Sequence, residues 1–292
     1  MIFEQLGLVG CGLMGGSFAL ALKRAGLVKR VVGFSPSEST RARALSMGVL
    51  DSVATTAADA ARGSDLVLVA VPVAATESTL AALAAALPAT ALVMDVGSTK
   101  CDVVAAAERA LGKAIDCFVP AHPIAGKEVA GVAHADPALY ANCQVILTPT
   151  AATGATQLAQ ADALWRALGC QVRQMSAPEH DAAFAAVSHL PHVLAFAMMN
   201  AIGAQAQAKD LLSLAGPGFR DFTRIAASDA AIWRDILMAN STQVRAQLQW
   251  FRSSLDALDH AVTQGDALAI EALIAQASAA RAAWRLGADV PQ

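Results

Sequence analysis

Leu6-Gly7-Leu8-Val9-Gly10-Cys11-Gly12-Leu13-Met14-Gly15 is the stretch that decides the fold. The residues up to Val9 read as a short buried strand. The glycines at 10, 12 and 15 then match G-x-G-x-x-G, and a helical stretch from about Gly16 to Ala25 follows, ended by Gly26. Each glycine has a physical purpose in such a pattern. Gly10 permits a tight turn, Gly12 lets a pyrophosphate approach the backbone, and Gly15 lets the helix lie close on the strand. The start of the helix presents unpaired N–H groups and a partial positive charge to phosphate. The bland alternative is a glycine turn that binds nothing. The strand before it and the helix after it favour a dinucleotide site that includes Gly10, Gly12, Leu13, Met14 and Gly15.

Working outward, Val31–Phe34 is a second strand and Leu66–Val71 a third. The third holds six apolar residues without alternation, as expected where helices cover both faces of a sheet. Leu92–Val96 repeats the type. Between these strands lie helical patterns, for example Thr76 as an N-cap with Leu80, Leu83 and Leu87 on one face. Val145–Leu147 and Gln171–Met175 read as later strands flanking a helix from about Gly154 to Leu168. Strands alternating with helices imply an α/β fold of the Rossmann type, a doubly wound and mostly parallel sheet.

After Pro178 no strand-like run recurs. Helices are expected at roughly 179–205, 228–262 and 266–286, with a Gly/Pro loop at Gly216-Pro217-Gly218 and a kink at Pro191. The chain thus divides into a dinucleotide-binding domain, 1–176, and an all-helical domain, 177–292. The last two helices are long and rich in alanine, which suits a homodimer interface and equally suits packing within the domain.

Composition excludes several classes. Of 292 residues 55% are hydrophobic, yet the run Leu66–Val71 falls far short of the roughly 20 residues that span a bilayer. The N-terminus enters the strand–glycine pattern directly, with no basic region and cleavage site of a targeting peptide. A formal charge of −3 offers no basic face for nucleic acid. The five cysteines form no C-x-x-C pair and are odd in number, which reads as reduced thiols in a cytoplasmic protein.

The end of the second strand bears on the choice of cofactor. An NAD site usually carries an acid there for the ribose 2′-OH. Here the chain reads Gly33-Phe34-Ser35-Pro36-Ser37, with Glu38 the nearest acid. Ser35 carries no charge to repel a 2′-phosphate, and Ser37, Thr40, Arg41 and Arg43 offer donors and positive charge. NADP is therefore preferred over NAD. The alternative makes these arginines a solvated helix face. Val71, at the end of the third strand, counts with the cofactor site.

Three polar segments stand out from the apolar background. Asp95-Val96-Gly97-Ser98-Thr99-Lys100 lies at the C-terminal end of a parallel strand, the edge where such sheets bind ligands. Ala121-His122-Pro123-Ile124-Ala125-Gly126-Lys127-Glu128 follows another short strand. The third is split into Ser188-His189-Leu190-Pro191-His192, Gly218–Ala226 and Ile232–Ile236. Each has a plainer reading. Ser98 can cap the next helix, the histidines can be structural, and Arg220, Arg224 and Arg234 can be surface ion pairs. His189 and His192 have H-x-x-H spacing, but lack the adjacent glutamate or cysteine cluster of a metal site, so no metal is assigned.

Taken in order, the glycine loop, Gly97-Ser98-Thr99-Lys100, His122-Pro123-Ile124-Ala125-Gly126, Ser188–His192, Asp221-Phe222-Thr223-Arg224-Ile225-Ala226 and Trp233-Arg234-Asp235-Ile236 resemble the prephenate and arogenate dehydrogenases of tyrosine biosynthesis, from about residue 6 to about 255. The resemblance implies an NAD(P)-dependent oxidative decarboxylation of a cyclohexadienyl substrate, with the active site between a Rossmann domain and a helical dimerisation domain. It implies that His122 accepts the ring-hydroxyl proton, that Ser98 bonds near that hydroxyl and the nicotinamide, and that Arg224 binds the side-chain carboxylate. It puts His192 and His189 in the substrate pocket, Glu128 at its entrance, and Asp221 and Trp233 in supporting positions. Lys127 departs from the small polar residues common there, and Ser35 from the frequent acid.

The chemistry agrees with these roles. A histidine of ordinary pKa near 6.5 suits a general base at neutral pH, and an arginine fork suits a planar carboxylate. One rival is a β-hydroxyacid dehydrogenase. That family uses a lysine early in its helical domain, whereas after residue 177 this chain has Lys209 alone, beyond the first long helix. Another is a non-catalytic NADP-binding sensor, which would need neither the histidine nor the arginine.

Overall fold

Strands Leu66–Val69 (β4) and Leu92–Asp95 (β5) are buried along their whole length, and their alternate side chains enter two separate cores. Leu66, Leu68, Leu92 and Met94 face one; Val67, Val69 and Val93 face the other. A strand buried on both faces needs no polar residue, which is why these runs lack alternation. They lie inside a six-stranded parallel sheet with Phe3–Val9 (β1), Val28–Phe34 (β2), Ser52–Val53 (β3) and Phe118–Val119 (β6), in the order β3-β2-β1-β4-β5-β6. The protein is described as a computed structural model covering residues 2–127 and 129–284.

Helix Leu13–Ala25 (α1) ends on Gly26, whose φ of 67° closes the last turn as a left-handed cap. Helix Glu38–Ser46 (α2) starts with Ser37 accepting from the Thr40 N–H at 3.2 Å. Short Ala57–Ala61 (α3), Thr76–Leu83 (α4) and Cys101–Leu111 (α5) cover the second core with Ala60, Leu80, Leu83, Val103 and Leu111. The first core is closed by a smaller sheet, Ala121–Pro123 (β7), Gln144–Leu147 (β8) and Gln171–Gln174 (β9), together with helix Ala155–Ala167 (α6). β7 runs antiparallel to β8, and β8 parallel to β9. Phe18, Tyr140 and Trp165 meet there, with ring centroids 5.0–6.2 Å apart, and the Tyr140 hydroxyl donates to the Met14 carbonyl at 2.8 Å. An aromatic cluster thus pins the first turn of α1.

The helical region departs from the expected pattern in three places. The first long helix spans Ala177–Gly203 but is interrupted, running as Ala177–Phe184 (α7), a π-turn Ala185–His189, then Leu190–Gly203 (α8) with Pro191 in its first turn. The extra residue of the π-turn accommodates the proline, which has no N–H to donate. Gly216-Pro217-Gly218 is no loop. After Ala208–Ser213 (α9), Gly216 is the N-cap and Pro217 opens helix Pro217–Thr223 (α10), where a missing N–H costs nothing. The helix expected at 228–262 breaks at Asn240 into Ala230–Ala239 (α11) and Ser241–Thr263 (α12). Ala267–Ala283 (α13) follows.

By contact density the chain forms two compact units, 1–241 and 242 onward. In the second, α12 and α13 leave Trp250 (74%) and Leu268 (80%) exposed, with Leu255, Val262 and Ile274. Among the described residues, one helical run, Ala177–Gly203, is long and apolar enough to cross a membrane by length and composition. It nonetheless carries the buried polar residues His180, Asp181 and His189.

Candidate active site

Parallel strands bring every βα turn to the same edge of the sheet. The glycine loop leaves β1 and the segment Val96–Lys100 leaves β5 at the C-terminal edge, and the chain leaving β6 there enters β7 of the smaller sheet, which carries His122. Three strand spacings separate β1 from β6, roughly 14 Å in a regular sheet.

The glycine loop is built as the pattern requires. Gly10 has φ 98°, and a Cβ there would come within 2.2 Å of the Ala70 carbonyl oxygen. At Gly15 it would meet the Gly10 oxygen at 2.1 Å. Gly12 differs: nothing lies within 4 Å of where its Cβ would stand, and as N-cap of α1 it supplies no side-chain hydrogen bond. Open space over an uncapped helix start fits a pyrophosphate. At the end of β2, Ser35 is buried. The Arg41 guanidinium donates to the carbonyls of Ser35 and Pro36 and lies 5.8 Å over the Phe34 ring. Ser37 is engaged as the cap of α2, and Thr40 lies in its first turn. Val71 is partly buried just past β4.

His122, 9% exposed, is held from behind. Its Nδ1 lies 2.8 Å from His180 Nε2, and His180 Nδ1 lies 2.8 Å from Asp181 Oδ1. Asp181 also accepts the Lys100 and Cys101 N–H groups at 2.8 and 2.9 Å, capping α5 from 81 and 80 residues away. That cap removes the plainer reading of Ser98: α5 has no capping side chain of its own, and Ser98 stays half-buried beside it. Asp95 forms a buried ion pair with Lys100 and accepts the Ala121 N–H at 3.0 Å, which fixes the backbone next to His122.

The network continues into the helical region. The Asn240 side-chain N–H donates to the Asp181 carbonyl at 2.7 Å and to His189 Nδ1 at 3.2 Å. His189 meets the Trp233 ring edge-on at 6.0 Å, and Trp233 stacks on His192 at 3.6 Å. Burial lowers the pKa of all four histidines. It holds His122 well below 6.5, an effect that positive charge on His180 when protonated, on Lys100, or on His189 when protonated reinforces, and takes His189 to about 4. Burial would raise the Asp181 pKa, but hydrogen bonds from His180, Cys101 and Lys100 outweigh it, and the carboxyl stays ionised.

The structure therefore connects His122 to His189, Trp233 and His192 through a chain of contacts that passes by way of His180, Asp181 and Asn240. Arg224 stands exposed at the start of a 3-10 turn, Arg224–Ala227, that packs on α8, the helix of His192. Asp221 is exposed and pairs with Arg220 at 3.1 Å, and Arg234 pairs with Asp235. Lys127 pairs with Asp136 at 2.9 Å. Glu128 lies outside the described residues. Sequence reasoning missed His180, Asp181 and Asn240. A His-Asp pair on an otherwise apolar helix, just after the capping box Ser176–Glu179, was the available signal.

The model of the prephenate dehydrogenase nucleotide-binding domain matches residues 18–174, and that of the prephenate dehydrogenase dimerization domain matches 176–276. The chain belongs to the prephenate dehydrogenase family. Cyclohexadienyl dehydrogenase of Zymomonas mobilis is 34% identical over 267 residues, 91% of this chain and 90% of the relative. Prephenate dehydrogenase of Aquifex aeolicus, solved with hydroxyphenyl propionate and NAD+, superposes with a TM-score of 0.89 at 33% identity, covering 96% of this chain and 98% of its own. Synechocystis arogenate dehydrogenase gives a TM-score of 0.80 at 27% identity, covering 95% and 99%. Membership makes the chain an NAD(P)-dependent dehydrogenase of oxidative decarboxylation and sets aside the β-hydroxyacid and sensor readings.

The two glycines separate stability from binding. Gly15→Ala should cost about 2–3 kcal/mol of unfolding free energy in denaturant titrations, because backbone must move. Gly12→Ala should stay within about 1 kcal/mol of the parent, yet bind NAD(P)H at least about tenfold more weakly by fluorescence titration. Equal affinity would mean that pyrophosphate does not lie on Gly12.

Proposed function

We propose that the protein oxidises and decarboxylates prephenate, arogenate or both, with His122 as general base. The observation that carries this reading is the seating of His122. It lies in β7, just past the C-terminal end of β6 in the sheet that bears the glycine loop, with Nδ1 engaged by His180 and Nε2 without a protein partner among the described residues. When bound, the nicotinamide supplies the hydride acceptor. His122 takes the ring-hydroxyl proton, the ring carboxylate leaves as CO2, and the ring becomes aromatic, which drives the reaction. The protein's work is to position and deprotonate. Arg224 binds the side-chain carboxylate, Ser98 contacts the hydroxyl region, and His192 with Trp233 forms a wall of the pocket, with His189 behind and Asp221 towards its rim.

NADP is the proposed cofactor, supported by the uncharged Ser35 at the end of β2 and the Arg41 guanidinium fixed beside it. We place the functional boundary near residue 176, where the two family models meet, and propose a homodimer through the helical part. The description of the second model and the exposed apolar residues of α12 and α13 support the dimer. Five free cysteines suit a cytoplasmic protein.

Parallel kcat/KM values for prephenate and arogenate with each cofactor test the assignment. Turnover of at least one substrate and a lower KM for NADP are expected; a much lower KM for NAD would overturn the cofactor reading. His122→Asn should lower kcat by roughly 10²–10⁴ with little change in KM. An ordinary histidine base predicts a rise in kcat/KM centred near pH 6.5. Burial moves it down, so kcat/KM should hold level from pH 8 through 6.5 and fall only below. A limb above pH 7 would point to a different base. Arg224→Ala should raise substrate KM by about tenfold or more; an unchanged KM would assign the guanidinium elsewhere.

A further inference from the structure

The His122–His180–Asp181 chain has a direction, and the direction follows from which atoms can donate. The Lys100 and Cys101 backbone N–H groups can only donate, so Asp181 receives both as an acceptor. With its carboxylate ionised, it accepts a third hydrogen bond, from His180 Nδ1, which must then carry a proton. At neutral pH a second proton on the buried His180 ring is opposed by desolvation, so its Nε2 is a lone pair. The 2.8 Å contact to His122 then requires the His122 Nδ1 to be the donor. A neutral His122 has one ring proton, which leaves its Nε2 bare.

We infer that His180 and Asp181 are positioning residues that fix His122 in the Nδ1–H tautomer, with the Nε2 lone pair presented to the substrate hydroxyl. This rests on His122 being the base, as proposed above. Free imidazole in water mixes tautomers, and only one of them accepts a proton at Nε2. The rings are also held physically: Phe184 stacks on His180 at 4.4 Å and lies 4.8 Å from His122. When His122 gains the substrate proton at Nε2, its Nδ1–H remains donated to a neutral acceptor backed by a carboxylate, so the imidazolium is stabilised where it forms. No proton needs to reach Asp181. The other charged or titratable groups acting on His122 are Lys100, whose ammonium is neutralised by Asp95, and His189, which is uncharged at pH 7.

The test combines a tautomer measurement with three variants. In ¹⁵N-histidine NMR of the wild-type enzyme near pH 7.5, His122 and His180 should both show a protonated Nδ1 and a bare Nε2. His180→Phe keeps an aromatic ring but no acceptor. It should lower kcat by roughly 10²-fold while leaving KM values within about threefold, and it should move the acid limb of kcat/KM to lower pH. His180→Gln, whose Oε1 can accept the His122 Nδ1–H, should recover about tenfold of that loss. Asp181→Asn should scramble the His180 tautomer in the same spectra.

An Nε2-protonated His122 in the wild type overturns the inference. So does a Phe variant with near-normal kcat and an unmoved limb, or a Gln variant no better than Phe. Should the Phe variant fail to fold, the wild-type and Asp181→Asn spectra still decide. An enzyme that turned over neither cyclohexadienyl substrate would sink the proposed function, while the tautomers would still judge the relay.

Discussion

One carboxylate, Asp181, carries an unusual share of the structure. It caps α5, orders His180, and lends its backbone carbonyl to Asn240. A buried carboxylate is tolerated only where donors surround it, since desolvating an unpaired charge costs several kcal/mol. Here three N–H groups converge on it from two elements. The same donors that offset its burial also tie α7, the first element past the smaller sheet, to the turn after β5. A change in any one partner strands the others, so the cluster behaves as one unit rather than as separate contacts.

The two sides of the site are held by different physics. The glycine loop is fixed by close backbone approach: Gly10 against Ala70, Gly15 against Gly10, and the Tyr140 hydroxyl on the Met14 carbonyl. Sterics and one aromatic cluster set that geometry. The histidine side is fixed by a chain of hydrogen bonds, Asp95 holding the backbone at Ala121 and His180 holding the ring. Under the proposed roles such a division is fitting, since a pyrophosphate needs orphan N–H groups and room, whereas a proton acceptor needs a defined lone pair.

Much of the architecture was legible. The unalternating runs at 66–71 and 92–96 announced a sheet covered on both faces, and the G-x-G-x-x-G loop lay where strand and helix meet. The helical region was harder to read. Gly216-Pro217 looks like a loop by composition, but glycine at an N-cap and proline at the first helical position also start helices, and only the neighbours decide. Asn240 interrupts a pattern that reads as one helix, because its side chain serves Asp181 and His189 rather than its own turn.

The sequence by itself determined the fold class, the strand–glycine–helix turn and the family, because each rests on local spacing: two residues for strands, three to four for helices, and short motifs that keep their chemistry wherever they fold. It also singled out His122, Ser98, His189, His192, Arg224 and Trp233 as residue types. Only the tertiary structure decided what stands behind His122. His180 is 58 residues away in the chain and Asp181 caps a helix about 80 residues earlier. Hydrogen-bond direction and burial are properties of a packed neighbourhood, and no local pattern encodes them.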